Sequence, residues 1–345
     1  MRWTRANVAQ GGCRIPAPAA MGYRAFHVDL RRQFPSVLLR LLSRAGAALG
    51  GALIVVLGVA TLVFLLLHLA PGDPVEAMLG ETASGADRAA LRAELGLDAP
   101  LPLQYARYLH GLVTLDLGNS LHTRAPVAET IGARLPYTAL LAGAALVFAL
   151  VLALPLGLYS ALRAGSRVET LTSVAAVLGM SLPSFVLGPL LMMVFAVWLG
   201  WLPVAAAGTP AGIVLPACTL GLVLSALLTR MVRAAVREVL AEEYIRSARA
   251  RGLPEPRVLW RHALRNAALP VLTVVGMQLG ALLGGAVITE IVFGWPGLGQ
   301  LTIEAIQRRD YPLVQGCVLV VATSYVAINR LTDLLYTVCD PRTAS

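Results

Sequence analysis

LAEEYIRSARARGLPEPRVLWRHALRNAALP, residues 240–270, is the one long polar stretch in the apolar second half of the chain, and the rest is read outward from it. It has the grammar of two short helices joined by a break. Glu242 and Glu243 open the first helix and Arg249 and Arg251 close it, so the charges suit the helix dipole at both ends. Gly252 follows where a left-handed C-terminal cap is wanted, and Pro254 prevents continuation. Pro256 is acceptable in a first helical turn, so a second helix is expected from there towards Ala268, ending before Pro270. Tyr244, Ser247, Ala248 and Arg251 share a face of the first helix, which reads as a docking surface with approachable backbone. Arg257, Arg261 and Arg265 recur every fourth residue of the second. That stripe suits anionic lipid headgroups and equally suits a solvated basic face.

On either side of this stretch the composition is that of a membrane protein. Of 345 residues, 57% are hydrophobic, far above a water-soluble domain of this size. The formal charge of +9 comes from arginines set beside apolar runs, not interleaved with aromatics, and so points to a membrane surface and away from nucleic acid. All 28 basic residues are arginine. Without lysine there is neither a Gly-Lys-Ser/Thr phosphate loop nor a Schiff-base nucleophile, so any ATP is expected to be hydrolysed by another polypeptide. Cys13, Cys218, Cys317 and Cys339 form no CxxC pair, and the five histidines show no HxxxH spacing. Neither a metal site nor a cofactor is expected in this chain.

In chain order, residues 1–46 carry eight arginines against one acid and are expected to be a cytoplasmic tail, with Met21 a second candidate start. Residues 47–70 are long enough to cross roughly 30 Å of hydrocarbon. Residues 71–136, with eight acids and five arginines, are placed outside by charge, with helices expected at 86–95 and 103–115. Further spans are expected at 138–162, at 170–199 with bends at Pro183 and Pro189, at 212–229, at 271–293 and at 313–338. The loop 230–268 between the fourth and fifth holds nine arginines against four acids and is placed in the cytoplasm, as are both termini, the second being residues 339–345. In the fifth span Gly276, Gly280 and Gly284 make a flat stripe for helix packing. Gln278, Thr289 and Glu290 are its polar exceptions and candidate pathway residues; for Glu290 an interfacial salt bridge is an equal reading. The fold class is all-α and polytopic, with six transmembrane helices.

PGDP at 71–74, LGLDAPLPLQY at 95–105, SLPSF at 181–185, LGWLP at 199–203, YIRSARARGL at 244–253, RHALRNAALP at 261–270, FGWPGLGQL at 293–301 and RDYPLVQG at 309–316 stand in order along the chain. With them it resembles the dipeptide, oligopeptide and nickel permease family of bacterial ABC importers, specifically the first permease subunit. The resemblance implies a type I importer transmembrane domain, its core at 137–338, with an external insertion after the first helix. It also implies that the 230–268 stretch is the coupling loop that fits a groove on a cytosolic ATPase. Glu243, Tyr244, Arg246, Ser247, Ala248, Arg249 and Gly252 would make that contact. Arg246 stands where the family's coupling motif has an acid. The implied partners are a homologous second permease subunit, two ATPases, an external substrate-binding protein and membrane lipid. The cargo would be a peptide, glutathione or a nickel complex, moved across the bacterial inner membrane. A self-sufficient secondary transporter and a polytopic membrane enzyme are the alternatives. The first would show intramembrane charges in broken helices, and the second a clustered polar constellation at one membrane face.

Overall fold

A computed structural model describes residues 30–69, 74–79, 84–94, 96–204 and 209–339. The expected tail to residue 29, with Met21 and Cys13, the PGD at 71–73 and the tail beyond Cys339 lie outside these residues. The chain divides into two units, Met1–Leu49 and Gly50–Ser345. In the first unit the described residues, from Leu30, are helical, within the stretch expected to be a cytoplasmic tail.

Among the described residues the architecture is entirely helical apart from one isolated bridge between Asn119 and Pro126. Helix α1 (Leu30–Leu69) is followed by an insertion holding α2 (Pro74–Leu79), α3 (Gly85–Glu94) and α4 (Leu101–Thr114). The long α5 (Val127–Leu162) leads through a short turn to α6 (Arg167–Ser181) and α7 (Ser184–Leu191), the latter continued by a π-helical turn at Met192–Trp198. Then come α8 (Val214–Ala241), α9 (Glu243–Ala250), α10 (Glu255–Arg257) with a π-helical turn at Val258–Ala263, α11 (Leu264–Gly285), α12 (Val287–Phe293), α13 (Leu298–Gln307) and α14 (Tyr311–Cys339). Among the described residues five helical stretches are long and apolar enough to cross a membrane, and a sixth results if α6 and α7 count as one broken span.

That break meets the bend expected at Pro183 and corrects the one expected at Pro189. The chain turns by 102° between α6 and α7. Leu182 precedes a proline and is held extended (φ −89°, ψ 115°), because the Pro183 ring clashes with a helical residue before it. Pro189 sits inside α7 and makes no break; the loosened backbone after it winds as the π turn at Met192–Trp198. Pro270 is likewise no terminus. It lies within α11, so the second short helix of the polar stretch runs on into the fifth span. One missing N–H is a small loss where leaving the helix would expose every backbone group to hydrocarbon.

The core rests on small residues that let helices approach. Ala142, Ala145, Ala149 and Ala153 of α5 are fully buried. Opposite them on α8, a β-carbon at Gly221 would lie 2.7 Å from Phe148 and 2.8 Å from the Ala145 carbonyl. Gly157 likewise approaches Val232. A separate apolar cluster joins the start of α5 (Val127, Ile131), α13 (Leu298, Leu301) and the start of α14 (Leu313, Val314, Cys317). The glycine stripe of α11 faces α14: a β-carbon at Gly276 would collide with Thr332, one at Gly280 would lie 2.9 Å from Tyr325, and one at Gly284 would sit 3.5 Å from Val321.

Candidate functional site

The polar stretch folds into a short helix braced on two sides. Glu242, extended at φ −66° and ψ 147°, ends α8 and turns the chain into α9. At the other end Gly252 lies at φ +77°, the left-handed conformation expected from the sequence. The Gly252 N–H donates to the Arg249 carbonyl at 2.9 Å and the Leu253 N–H to the Ala248 carbonyl at 3.4 Å, the paired bonds of a Schellman cap. Ile245 and Ala248, at 0% and 2% exposure, sink into a cluster with Val258 and Ala263, and Leu253 packs on it. The Asn266 amide donates to the Tyr244 hydroxyl at 2.5 Å, tying α9 to α11.

This geometry divides the expected docking face. Ala248 points inward, so it sets the seat of the helix and is no part of its surface; the period of a short amphipathic helix shows which residues share a face, not which face is covered. Glu243, Arg246, Ser247 and Arg249 are exposed together with Tyr244. Arg249 grips Glu255 through Nε–Oε1 at 2.7 Å and Nη2–Oε2 at 3.3 Å, spanning the Gly252 turn. An exposed pair of this kind stabilises little and serves mainly to orient. Arg246 has no ion pair with a described residue. The result is a polar knob on a rigid seat.

The end of the bundle that carries the knob is fastened to α6. Glu169 receives Arg237 Nη1 at 2.7 Å, with Arg233 at 3.6 Å; Arg233 also donates to the Ser173 hydroxyl. The Ser166 hydroxyl accepts from the Glu169 N–H, an N-cap that starts α6. Sequence reading had counted Arg233 and Arg237 only as charge. The signal was the S-x-x-E pattern at 166–169, which marks a helix start and so puts a carboxylate at that end.

The three candidate pathway residues separate. Gln278 of α11 lines a cavity of about 330 Å³ with Met180, Ser184, Leu224 and Leu227, walled by α6, α7, α8 and α11. Thr289 and Glu290 lie elsewhere, on α12, and are buried at 2% and 0%. The Thr289 hydroxyl has no hydrogen-bond partner among the described residues. Glu290 makes no salt bridge with a described residue, which corrects the interfacial reading; it accepts from the Thr138 hydroxyl at 2.7 Å and the Gln300 N–H at 3.0 Å. Thr138 in turn accepts from the Leu298 N–H at 2.7 Å. Glu290 and Thr138 together satisfy the free N–H groups at the start of α13, and the Gly297 backbone is pressed against the carboxylate so closely that a β-carbon there would strike it. In this arrangement Glu290 acts as a structural acceptor and takes no part in lining the Gln278 cavity. Thr138→Val should accordingly lower stability by about 1–3 kcal/mol, the range for an orphaned buried group, while leaving the KM for uptake unchanged. Thermal unfolding and uptake kinetics on one preparation check this; a shifted KM at unaltered stability would return Glu290 to the path.

Two further polar ties in the insertion were not read from sequence. Asp310, 1% exposed, accepts from the Ser120 hydroxyl at 2.5 Å and the Leu121 N–H at 3.2 Å while capping α14. The Asp310-Tyr-Pro order was the available signal, a cap residue with proline in the first turn. His68 bonds Gln104 at 3.1 Å across from α1 to α4. Beside it Tyr108 is pushed up to about 12 by burial, with Tyr105 adding to the shift, and its hydroxyl therefore stays protonated.

With this geometry in view, the chain can be set against known proteins. Residues 153–345 match the family described as binding-protein-dependent transport system inner membrane component, and residues 38–142 match the N-terminal region described for such components. The chain belongs to this family. The glutathione transport system permease protein GsiC of Pectobacterium atrosepticum is 41% identical over 82% of this chain and 92% of its own length. The dipeptide transport system permease protein DppB of Escherichia coli is 41% identical over 83% of this chain and 94% of its own. As a member of the family the chain is a multi-pass inner-membrane permease subunit of an ABC importer and not an enzyme, which removes both alternatives left open above.

Proposed function

We propose that this permease admits a small peptide-like solute, of the class its relatives are named for, through the cavity lined by Gln278, and that the α9 knob couples the path to an ATPase. The observation that carries the coupling reading is the seat of α9. An exposed face bearing Glu243, Tyr244, Arg246, Ser247 and Arg249 is held by the Gly252 cap, the Ile245 and Ala248 cluster and the Tyr244 to Asn266 bond, so a push on it reaches α8 and α11 without slack. In this reading the arginine-rich end, with both termini, is cytoplasmic and the insertion is outside. A homologous second permease subunit completes the path, two cytosolic ATPases close on ATP and rock the bundle, and an external binding protein delivers the solute. No cofactor is assigned to this chain.

Two measurements test the proposal. In a background lacking the native cysteines, Ser247→Cys should crosslink to a co-expressed ATPase in an ATP-dependent way, whereas Val113→Cys on α4 should not. An impermeant thiol reagent applied from outside should label Val113→Cys and spare Arg257→Cys, since both sites are exposed. Outside labelling of both positions would overturn the orientation, and absence of any Ser247→Cys adduct with the ATPase would overturn the coupling contact.

A further inference from the structure

At the end of the bundle that carries α9, helices α5, α8 and α11 part to leave a second cavity of about 580 Å³. Leu150 and Leu154 form one wall, Val232 and Val236 another, and Leu272 and Val275 its far end. Arg265 is the one polar side chain in the lining. This cavity shares no residue with the one at Gln278 proposed above as the solute path. An apolar wall with a single polar group gives water too few partners to hold it there.

The dimensions narrow the occupant. Arg265 to Val275 is ten residues of α11, about 15 Å at ~1.5 Å per residue, and half of a hydrocarbon core of ~30 Å is one leaflet. A cation one leaflet's depth from Val275, at the arginine-rich end, suits the level of that leaflet's headgroups. Arg265 and Arg261 are exposed, and neither pairs with a carboxylate of the described residues. Trp260, 68% exposed beside them, suits the same interfacial level. We infer that this groove is a binding site for one anionic phospholipid, its phosphate on Arg265 and an acyl chain laid along α11 between α5 and α8. The inference depends on charge and depth alone, not on which face of the membrane is cytoplasmic.

Native mass spectrometry of the intact transporter, exchanged into detergent with palmitoyl-oleoyl phosphatidylglycerol or the matching phosphatidylcholine, tests it. Wild type should retain phosphatidylglycerol in preference. Arg265→Gln should reduce that retention about tenfold, Arg265→Lys should keep much of it, and Arg107→Gln in the insertion should change nothing. Ala268→Phe, which fills the groove and leaves the arginine, should lower retention as far as Arg265→Gln, and it decides the matter where Arg265→Gln fails to assemble. Excess inorganic phosphate should not displace the lipid. Equal phosphatidylglycerol retention by wild type and Ala268→Phe, displacement by phosphate alone, or a photocrosslinker at Ala268 that captures a protein subunit in place of lipid would each overturn the assignment.

Discussion

Gly252→Val should reach the membrane at wild-type level yet lose uptake by more than tenfold and retain the ATPases poorly. The argument starts from backbone, because nothing stands within 4 Å of where a β-carbon would be and no clash is at issue. At φ +77° an L-residue pays roughly 1–2 kcal/mol, and a β-branched one more, so valine pulls the residue out of the left-handed region. The Gly252 and Leu253 N–H bonds back to Arg249 and Ala248 are then lost together. An eight-residue helix does not hold itself, and with its cap undone the knob loses its orientation. The spans are untouched, so insertion is unaffected. Gly252→Ala, which bears the left-handed penalty without branching, should retain a measurable part of the uptake. Wild-type uptake by Gly252→Val would sink the coupling role, while loss of the protein from the membrane would instead place Gly252 in the folding of the bundle.

What the sequence disclosed follows from how local each cause is. Apolar run length acts over one helix at a time, and the described helices long enough to span fall where the runs do. Gly252 was legible because a cap is written within six residues. The chain turn at 182–183 was half legible. Both prolines were visible, but which of them breaks the helix depends on whether a neighbour can satisfy the freed carbonyl, and that is set by packing. The partners of Glu290 were not legible because Thr138 and Gln300 lie on other elements, one of them 152 residues away. An acid in an apolar run has the same sequence signature whether it lines a path or caps the start of the next helix. The inward turn of Ala248 was hidden for the same reason, since the cluster that covers it is completed by Val258 and Ala263 beyond the break.

The largest loss of assembly is expected at Gly276, not at the centre of its stripe. A side chain at Gly276 meets the β-branched Thr332, whose stiff χ1 and bond to the Ile328 carbonyl at 2.9 Å leave it nowhere to go. At Gly280 the obstacle is the Tyr325 ring, 41% exposed and able to swing towards lipid. At Gly284 a β-carbon would make ordinary contact with Val321. The stripe is therefore graded, and identical substitutions along it should give different results. Overpacking a tight contact by a single methyl typically costs about 1–3 kcal/mol, and in a membrane the close approach of α11 to α14 is itself the attraction between them, so a leucine removes the contact along with the space. Gly276→Leu should abolish recovery of folded protein from detergent, Gly276→Ala should lower its melting temperature clearly, Gly280→Ala should do so less, and Gly284→Ala should match wild type. Size-exclusion profiles and melting curves of the four variants decide it. If Gly276→Leu were recovered as well as Gly284→Ala, the glycines would be facing lipid and the α11 to α14 contact would not depend on them.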